Sequence, residues 1–338
     1  MTSMSEAAPL RSAPTVGRGS GGGNAGALPP SAPRRSRLER LRKPLEITIL
    51  VGPALLVFLA FVIFPVGIAA YYGFFSWTGF GPADHFIGLR NYTQILADEA
   101  FRSAVWHNAE IVGLSLITQG PIALLIALML NRKMRFQSAL RVLIFVPYVI
   151  SEVVVGTGLS LMLASGGAVN DLLGKLGLGS LKEDWLSNPH VAIWTLVTIL
   201  IWKYIGFAVL LFLAGLQGIP EELTEAAQID GASYWQVQRR IVLPLLAPTV
   251  RIWAFLSIIG SLQLFDVVYI IWGQYVAATA GTSTMATYMV TTGRTAGQYG
   301  YGSAVAVVMF LISLAVALVY QRFVLRRDTE GAVTGGAA

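Results

Sequence analysis

Six stretches of this chain, about 47–74, 104–130, 139–164, 190–216, 248–272 and 302–324, are each long and apolar enough to cross a bilayer. A crossing takes roughly 20 mostly apolar residues in a helix, because hydrocarbon offers no water to satisfy backbone N–H and C=O groups. That requirement removes most soluble folds from consideration. Pro53, Pro65, Pro121 and Pro147 fall inside the stretches, which membrane helices tolerate when neighbours satisfy the freed backbone groups. No segment shows the short alternating pattern of a barrel strand. The expected fold class is all-α, a polytopic membrane protein with six transmembrane helices. Composition agrees: 55% of the 338 residues are hydrophobic and 12% are charged, whereas soluble domains carry about 25% charge.

Charge placement sets the orientation. With the N-terminus inside, the inner segments and their flanks hold 18 of the 24 Lys and Arg residues. The outer segments 75–103, 165–189 and 273–301 hold five, Arg90, Arg102, Lys175, Lys182 and Arg294, and Lys203 lies within the fourth span. Cytoplasmic loops carry the positive excess, so both termini are expected in the cytoplasm. Topology and anionic lipid account for the net charge of +6 and leave no basic–aromatic surface for nucleic acid. The Gly-, Pro- and Ser-rich start and the basic run "RRSRLERLRK" are expected to form a disordered basic tail over 1–43. A six-span domain over 44–328 and a tail over 329–338 follow. No cleavage site is evident, so the first span reads as a retained anchor. The outer loop 165–189 is expected to hold a short amphipathic helix near the interface, anchored by Trp185.

The chain lacks Cys, and His85, His107 and His190 are far apart, so neither disulfides nor a metal site is expected. No phosphate-binding G-x-x-x-x-G-K-[ST] loop is present, and no nucleophile elbow or paired-carboxylate motif supports an enzyme. No catalytic residue is assigned. Between the fourth and fifth spans lies a polar interruption, "PEELTEAAQIDGASYWQVQRRIVLP", Pro220 to Pro244. Pro220 suits a first helical position, and Glu221 and Glu222 favour the dipole of a first turn. Gly231 is the expected break, with a second helix running on to Pro244. Small residues Ala226, Ala227 and Gly231 near the elbow would let another surface approach closely. An ordinary solvated loop is the alternative.

The spacing "EAA", three residues, Gly231, nine residues, "IVLP" resembles the cytoplasmic signature of permease subunits of ATP-binding-cassette (ABC) importers. Glu225, Ala226, Ala227, Asp230, Gly231, Ile241, Leu243 and Pro244 all fit it. "FIGLRNYTQIL", "LIFVPYVIS", "LLFLAGLQGIPEEL", "LFDVVYIIW" and "YGYGSAVAVVMFLI" are similar to the carbohydrate members of the maltose and glycerol-phosphate type, over about 40–328. "WGQY" at 272–275 departs from their usual pattern. The resemblance implies a type I importer permease in the bacterial plasma membrane, with 217–247 as a coupling loop for a separate ATPase. It implies as partners an ATP-binding subunit dimer that holds ATP and Mg, a second, different permease, an extracytoplasmic solute-binding protein and a sugar or oligosaccharide. This chain itself would bind no cofactor.

Ionisable residues within spans, Glu152, Lys203 and Asp266, are candidates for function because they are costly in hydrocarbon. On a continuous fifth helix Gln263 shares a face with Asp266, while Ser257 and Ser261 point away. Gln263 and Asp266 either bond sugar hydroxyls or pack against a partner, and Tyr148 and Glu152 on the third span have the same two readings. Lys203, beside Trp202 and Tyr204, reads as an interfacial or partner contact. Import of glycerol phosphate or another small solute, or an ion-coupled carrier using Glu152, Lys203 and Asp266, remain the alternative functions.

Overall fold

The computed structural model describes residues 49–132 and 135–325. The chain divides into two units, residues 1–57 and 58–338. In the first, residues 49–57 are described and form helix with exposed apolar side chains. The expected tails 1–43 and 329–338 lie outside the described residues.

The second unit is helical; among the described residues the only β-pairing is an isolated bridge between Phe75 and Phe86. Its helices are α1 (58–72), α2 (Arg90–Ala97), α3 (Glu99–Leu130), α4 (Gln137–Val149), α5 (Glu152–Met162) and α6 (Ala168–Lys175). Then come α7 (Pro189–Gln217), α8 (Glu221–Ile229), α9 (234–262), α10 (Asp266–Thr279), α11 (Met285–Val290) and α12 (Tyr299–Val324). Five helices are long and apolar enough to cross a membrane: Ile49–Tyr72, Glu99–Leu130, Pro189–Gln217, Tyr234–Gly273 and Tyr299–Val324. The bent pair α4–α5 makes a sixth if counted as one span. The amphipathic helix expected in 165–189 is α6, and Trp185 donates to the buried Asn170 within that loop.

Two expected rods are broken. The stretch 139–164 turns by 90° between α4 and α5. Pro147 lacks an N–H, and Ile150 and Ser151 are extended (ψ 137° and 141°), so the ladder stops. Ser151 restarts it by accepting from the Val153 N–H at 3.3 Å. The stretch 248–272 extends back to 234 but ends at Leu262, with Gln263 as its C-cap and Asp266 opening α10. Gln263 and Asp266 therefore do not share a helical face. The break persists because remote side chains take the freed carbonyls: Asn108 donates to Ser261 O at 2.6 Å and Thr284 to Leu264 O at 2.7 Å.

Three of the prolines share a device. π-Turns at Leu59–Ile63, Ser115–Gln119 and Gln238–Val242 each end two residues before a proline, Pro65, Pro121 and Pro244 respectively. Proline forfeits its own bond and collides with the carbonyl four residues back. One widened turn at that carbonyl absorbs both effects and keeps the helix running.

Helix α7 is the axle. Its Leu196, Ile199 and Leu200 pack with Val267, Val268 and Trp272 of α10. Its Phe212, Leu213 and Leu216 pack with Ala123 and Ala127 of α3 and Leu246 and Trp253 of α9. A third cluster joins Phe101 of α3 to Met285, Tyr288, Tyr301 and Val305. At Gly206 the backbone of α4 comes so close that a Cβ would stand 2.5 Å from Ile144 O.

Candidate functional site

Two features stand out, a surface hairpin and an internal cavity. The hairpin is built almost wholly from local chemistry. Pro220 is extended, and α8 opens with Glu221 and Glu222 in its first turn. The helix closes as a Schellman motif: Ala232 N–H donates to Ala227 O at 2.9 Å and Gly231 N–H to Gln228 O at 3.0 Å. Gly231 takes φ +83°, a left-handed conformation that glycine adopts freely and that strains residues with a Cβ, Asn least. Ser233 opens α9 with a capping box, its N–H donating to Gln236 Oε1 at 2.7 Å.

Val237 and Val242 anchor the hairpin against α3 and α7, with Ala227 and Ala232 partly buried beside them. The guanidinium of Arg132 lies 3.8 Å above the Tyr234 ring, a cation–π tie from the end of α3. Glu225, Ala226, Asp230, Gly231 and Pro244 are exposed, and Ile241 and Leu243 are half-buried. Ile229 is 86% and Trp235 70% exposed, so the elbow presents apolar and acidic groups together. The eight residues expected to meet an ATPase thus lie along this one hairpin.

The cavity, of about 260 Å³, lies among α3, α4, α7 and α9. Tyr148, Tyr204, Phe207 and Trp253 form its aromatic walls, and Ser115, Gln119, Ser257 and Ser261 its polar groups. Ser115 donates to Gln119 Oε1 at 2.7 Å and meets Ser257 Oγ at 2.9 Å. The Tyr148 and Phe207 rings stack at 5.4 Å. No Asp, Glu, Lys, Arg or His lines the space. Of the residues expected along a substrate path, Tyr148 lines the cavity and Glu152 reaches it through Tyr204, whose hydroxyl donates to Glu152 Oε1 at 2.9 Å. Gln263 and Asp266 are exposed and line none of it.

Ser115 and Gln119 were not among the expected residues; a Ser-x3-Gln pair inside an apolar span, two residues before a proline, was the available signal. Ser257 and Ser261, expected on the side away from Gln263 and Asp266, line the cavity, whereas Gln263 and Asp266 do not. Lys203 is 1% exposed and bonds three backbone carbonyls rather than an interface. Trp272 is buried too, donating to Leu186 O at 2.8 Å.

At the other end of α3, Asp98 caps the helix by accepting from Ala100 N–H at 2.8 Å and Phe101 N–H at 3.2 Å. Tyr288 donates to it at 2.7 Å and Tyr301 at 3.3 Å. Burial pushes the Asp98 carboxyl up, but these hydrogen bonds outweigh it and hold the group below its ordinary value. Burial pushes the Tyr288 hydroxyl up, reinforced by Tyr301 and the Asp98 carboxylate. Among the described residues no cluster of His, Cys, Asp and Glu could hold a metal ion.

Comparison with known proteins places this architecture. The family model described as "binding-protein-dependent transport system inner membrane component" matches residues 119–328. A probable ABC transporter permease protein of Pyrococcus horikoshii is 35% identical over 280 residues, covering 81% of this chain and 94% of that protein. The arabinooligosaccharides transport system permease protein of Bacillus subtilis is 32% identical, covering 80% and 86%. A crystal structure of a bacterial ABC transporter involved in import of the acidic polysaccharide alginate matches with a TM-score of 0.72 and 26% identity, over 85% of this chain and 99% of that one. The helical architecture, the match over more than half the chain and these identities make this chain a member of the binding-protein-dependent transport system inner-membrane family, a permease subunit of an ABC importer in the plasma membrane.

Proposed function

We propose that this permease forms half of the translocation path for an uncharged sugar or oligosaccharide and takes its energy from a separate ATPase seated on the 220–244 hairpin. The observation that carries the substrate class is the cavity lining: aromatic faces, hydroxyls and one amide, without an ionised side chain. Sugar rings present apolar faces to aromatic walls and hydroxyls to Ser and Gln. A phosphate or carboxylate ligand would call for an Arg or Lys, and the nearest cation, Lys203, is committed to backbone carbonyls. The arabinooligosaccharide relative supports a saccharide substrate; the lining argues against the acidic class that the alginate importer carries.

The hairpin supports the coupling role. It is capped at its elbow by local hydrogen bonds, exposed, and carries Ile229 and Trp235 where a partner would cover them. An ATP-binding dimer that holds ATP and Mg closes and drags the hairpin; the spans then alternate between inward- and outward-facing states. The distribution of Lys and Arg supports cytoplasmic termini and a cytoplasmic hairpin, leaving the opposite face for a solute-binding protein. A second, different permease completes the path.

The test is to tag the chain, extract it gently from native membranes and identify the chains that accompany it. An ATPase and a second permease are expected with the wild type. Gly231→Trp, which strains the elbow and fills its outer face, is expected to lose the ATPase and keep the second permease. Wild-type protein emerging without an ATPase would overturn the coupling role.

A further inference from the structure

Lys203 is the one buried cation in the described bundle that the reading above does not use. Its Nζ donates to Ile150 O at 2.6 Å, Pro147 O at 3.2 Å and Tyr148 O at 3.3 Å. Those are carbonyls that the 90° break leaves without helical partners, and an ammonium has three N–H groups to give. Glu152 Oε1 lies 3.5 Å away as counter-ion and also accepts from Tyr204. Each charge sits at the helix end that favours it, Lys203 at the C-terminus of α4 and Glu152 in the first turn of α5. The same carbonyls belong to the segment that carries Tyr148, whose ring packs on Phe207 at 5.4 Å and on Tyr204 at 6.3 Å.

We propose that Lys203 is a positioning residue for transport: by capping the broken end of α4, and through Glu152 and Tyr204, it holds the aromatic wall of the cavity in place. An ion-pair role alone would be met by balancing charge. Capping demands a compact donor at three converging carbonyls, which neither methionine nor the planar guanidinium of arginine supplies. The proposal rests on the cavity being the substrate's passage, but its test reads the wall and not transport, so the two fail separately.

The chain has no Cys, so a single Ser257→Cys reporter on the opposite wall reports cavity access directly. Its rate of reaction with a small methanethiosulfonate reagent would be measured in permeabilised native membranes carrying the whole importer. Losing even one charge-assisted bond shifts an opening equilibrium about tenfold. Lys203→Met is therefore expected to raise the rate tenfold or more, Lys203→Arg to recover little of it, and Lys203→Met with Glu152→Gln to recover none. Tyr204→Phe, which keeps the cap and cuts only the Glu152 link, is expected to raise the rate by a smaller factor and serves if Lys203→Met fails to assemble. An unchanged rate in the Lys203→Met chain, or in the Tyr204→Phe chain where that is the variant available, would overturn the proposal. So would full recovery in the charge-balanced double variant.

Discussion

The elbow at Gly231 and the elbow at Ile150–Ser151 each bend one helix into the next, but they find their hydrogen-bond partners in different places. At Gly231 the capping bonds all close within five residues, as the Schellman pair and the Ser233–Gln236 box. At Ile150 the freed carbonyls are taken by a side chain 53 residues away. The first elbow is exposed in this chain, so its backbone is open to solvent. The second is buried, where an unpaired carbonyl is costly and the partner must be brought in. A locally capped elbow can be moved as a unit, which suits a surface that transmits force. A remotely capped one is welded to the helix that caps it.

That contrast can be broken experimentally. Lys203→Met should have the largest effect, about 3–5 kcal/mol of stability, because it strands Glu152 as well as the carbonyls. Thermal unfolding of the purified assembly measures it, and a loss under 1 kcal/mol would equate the two elbows. Next, Gly206→Leu pushes α4 off α7 at the same weld and should cost about 1–3 kcal/mol by overpacking, read in the same melts. Gly231→Ala should cost about 1–2 kcal/mol of hairpin order without lowering the melting midpoint, since the hairpin is exposed. Its signature is ATPase lost on co-purification, and Gly231→Asn, which tolerates that φ, should lose less. Ser233→Ala removes one cap and should cost about 1 kcal/mol, visible as faster amide exchange across 230–237.

The smallest effect concerns Asp98, where local and remote caps meet on one carboxylate. Its pKa is depressed in the fold, so its contribution is fully present above the unfolded value of about 3.9 and fades as pH falls through the lower, folded value. Exchange protection at the start of α3 should therefore weaken below pH 4 in the wild type. In Asp98→Asn it should be weaker at neutral pH and flat on acidification.

The same division explains what could be read in advance. The hairpin was legible because Pro220, Glu221, Glu222 and Gly231 act on their own neighbours. The break after Pro147 was not, since a proline inside a span is compatible with a continuous helix and the deciding group is Lys203 on α7. The placement of Gln263 and Asp266 failed for a like reason: Asn108 and Thr284, both distant in sequence, hold open the turn between them. Ser257 and Ser261, within the unbroken part of α9, carry the side that meets the cavity. The cavity's Gln119 was hidden by the apolar residues around it.

The remote weld also has an order in time. A chain threaded into the membrane from its N-terminus delivers the carbonyls at 147–150 before Lys203 emerges. A lone ammonium at mid-span costs about 2.5–3.5 kcal/mol to insert, and here its acceptors are already waiting when it arrives. Were α7 made first, the same lysine would enter hydrocarbon bare. A permuted chain with identical contacts, in which α7 precedes α4, is therefore expected to insert Lys203 at greater cost.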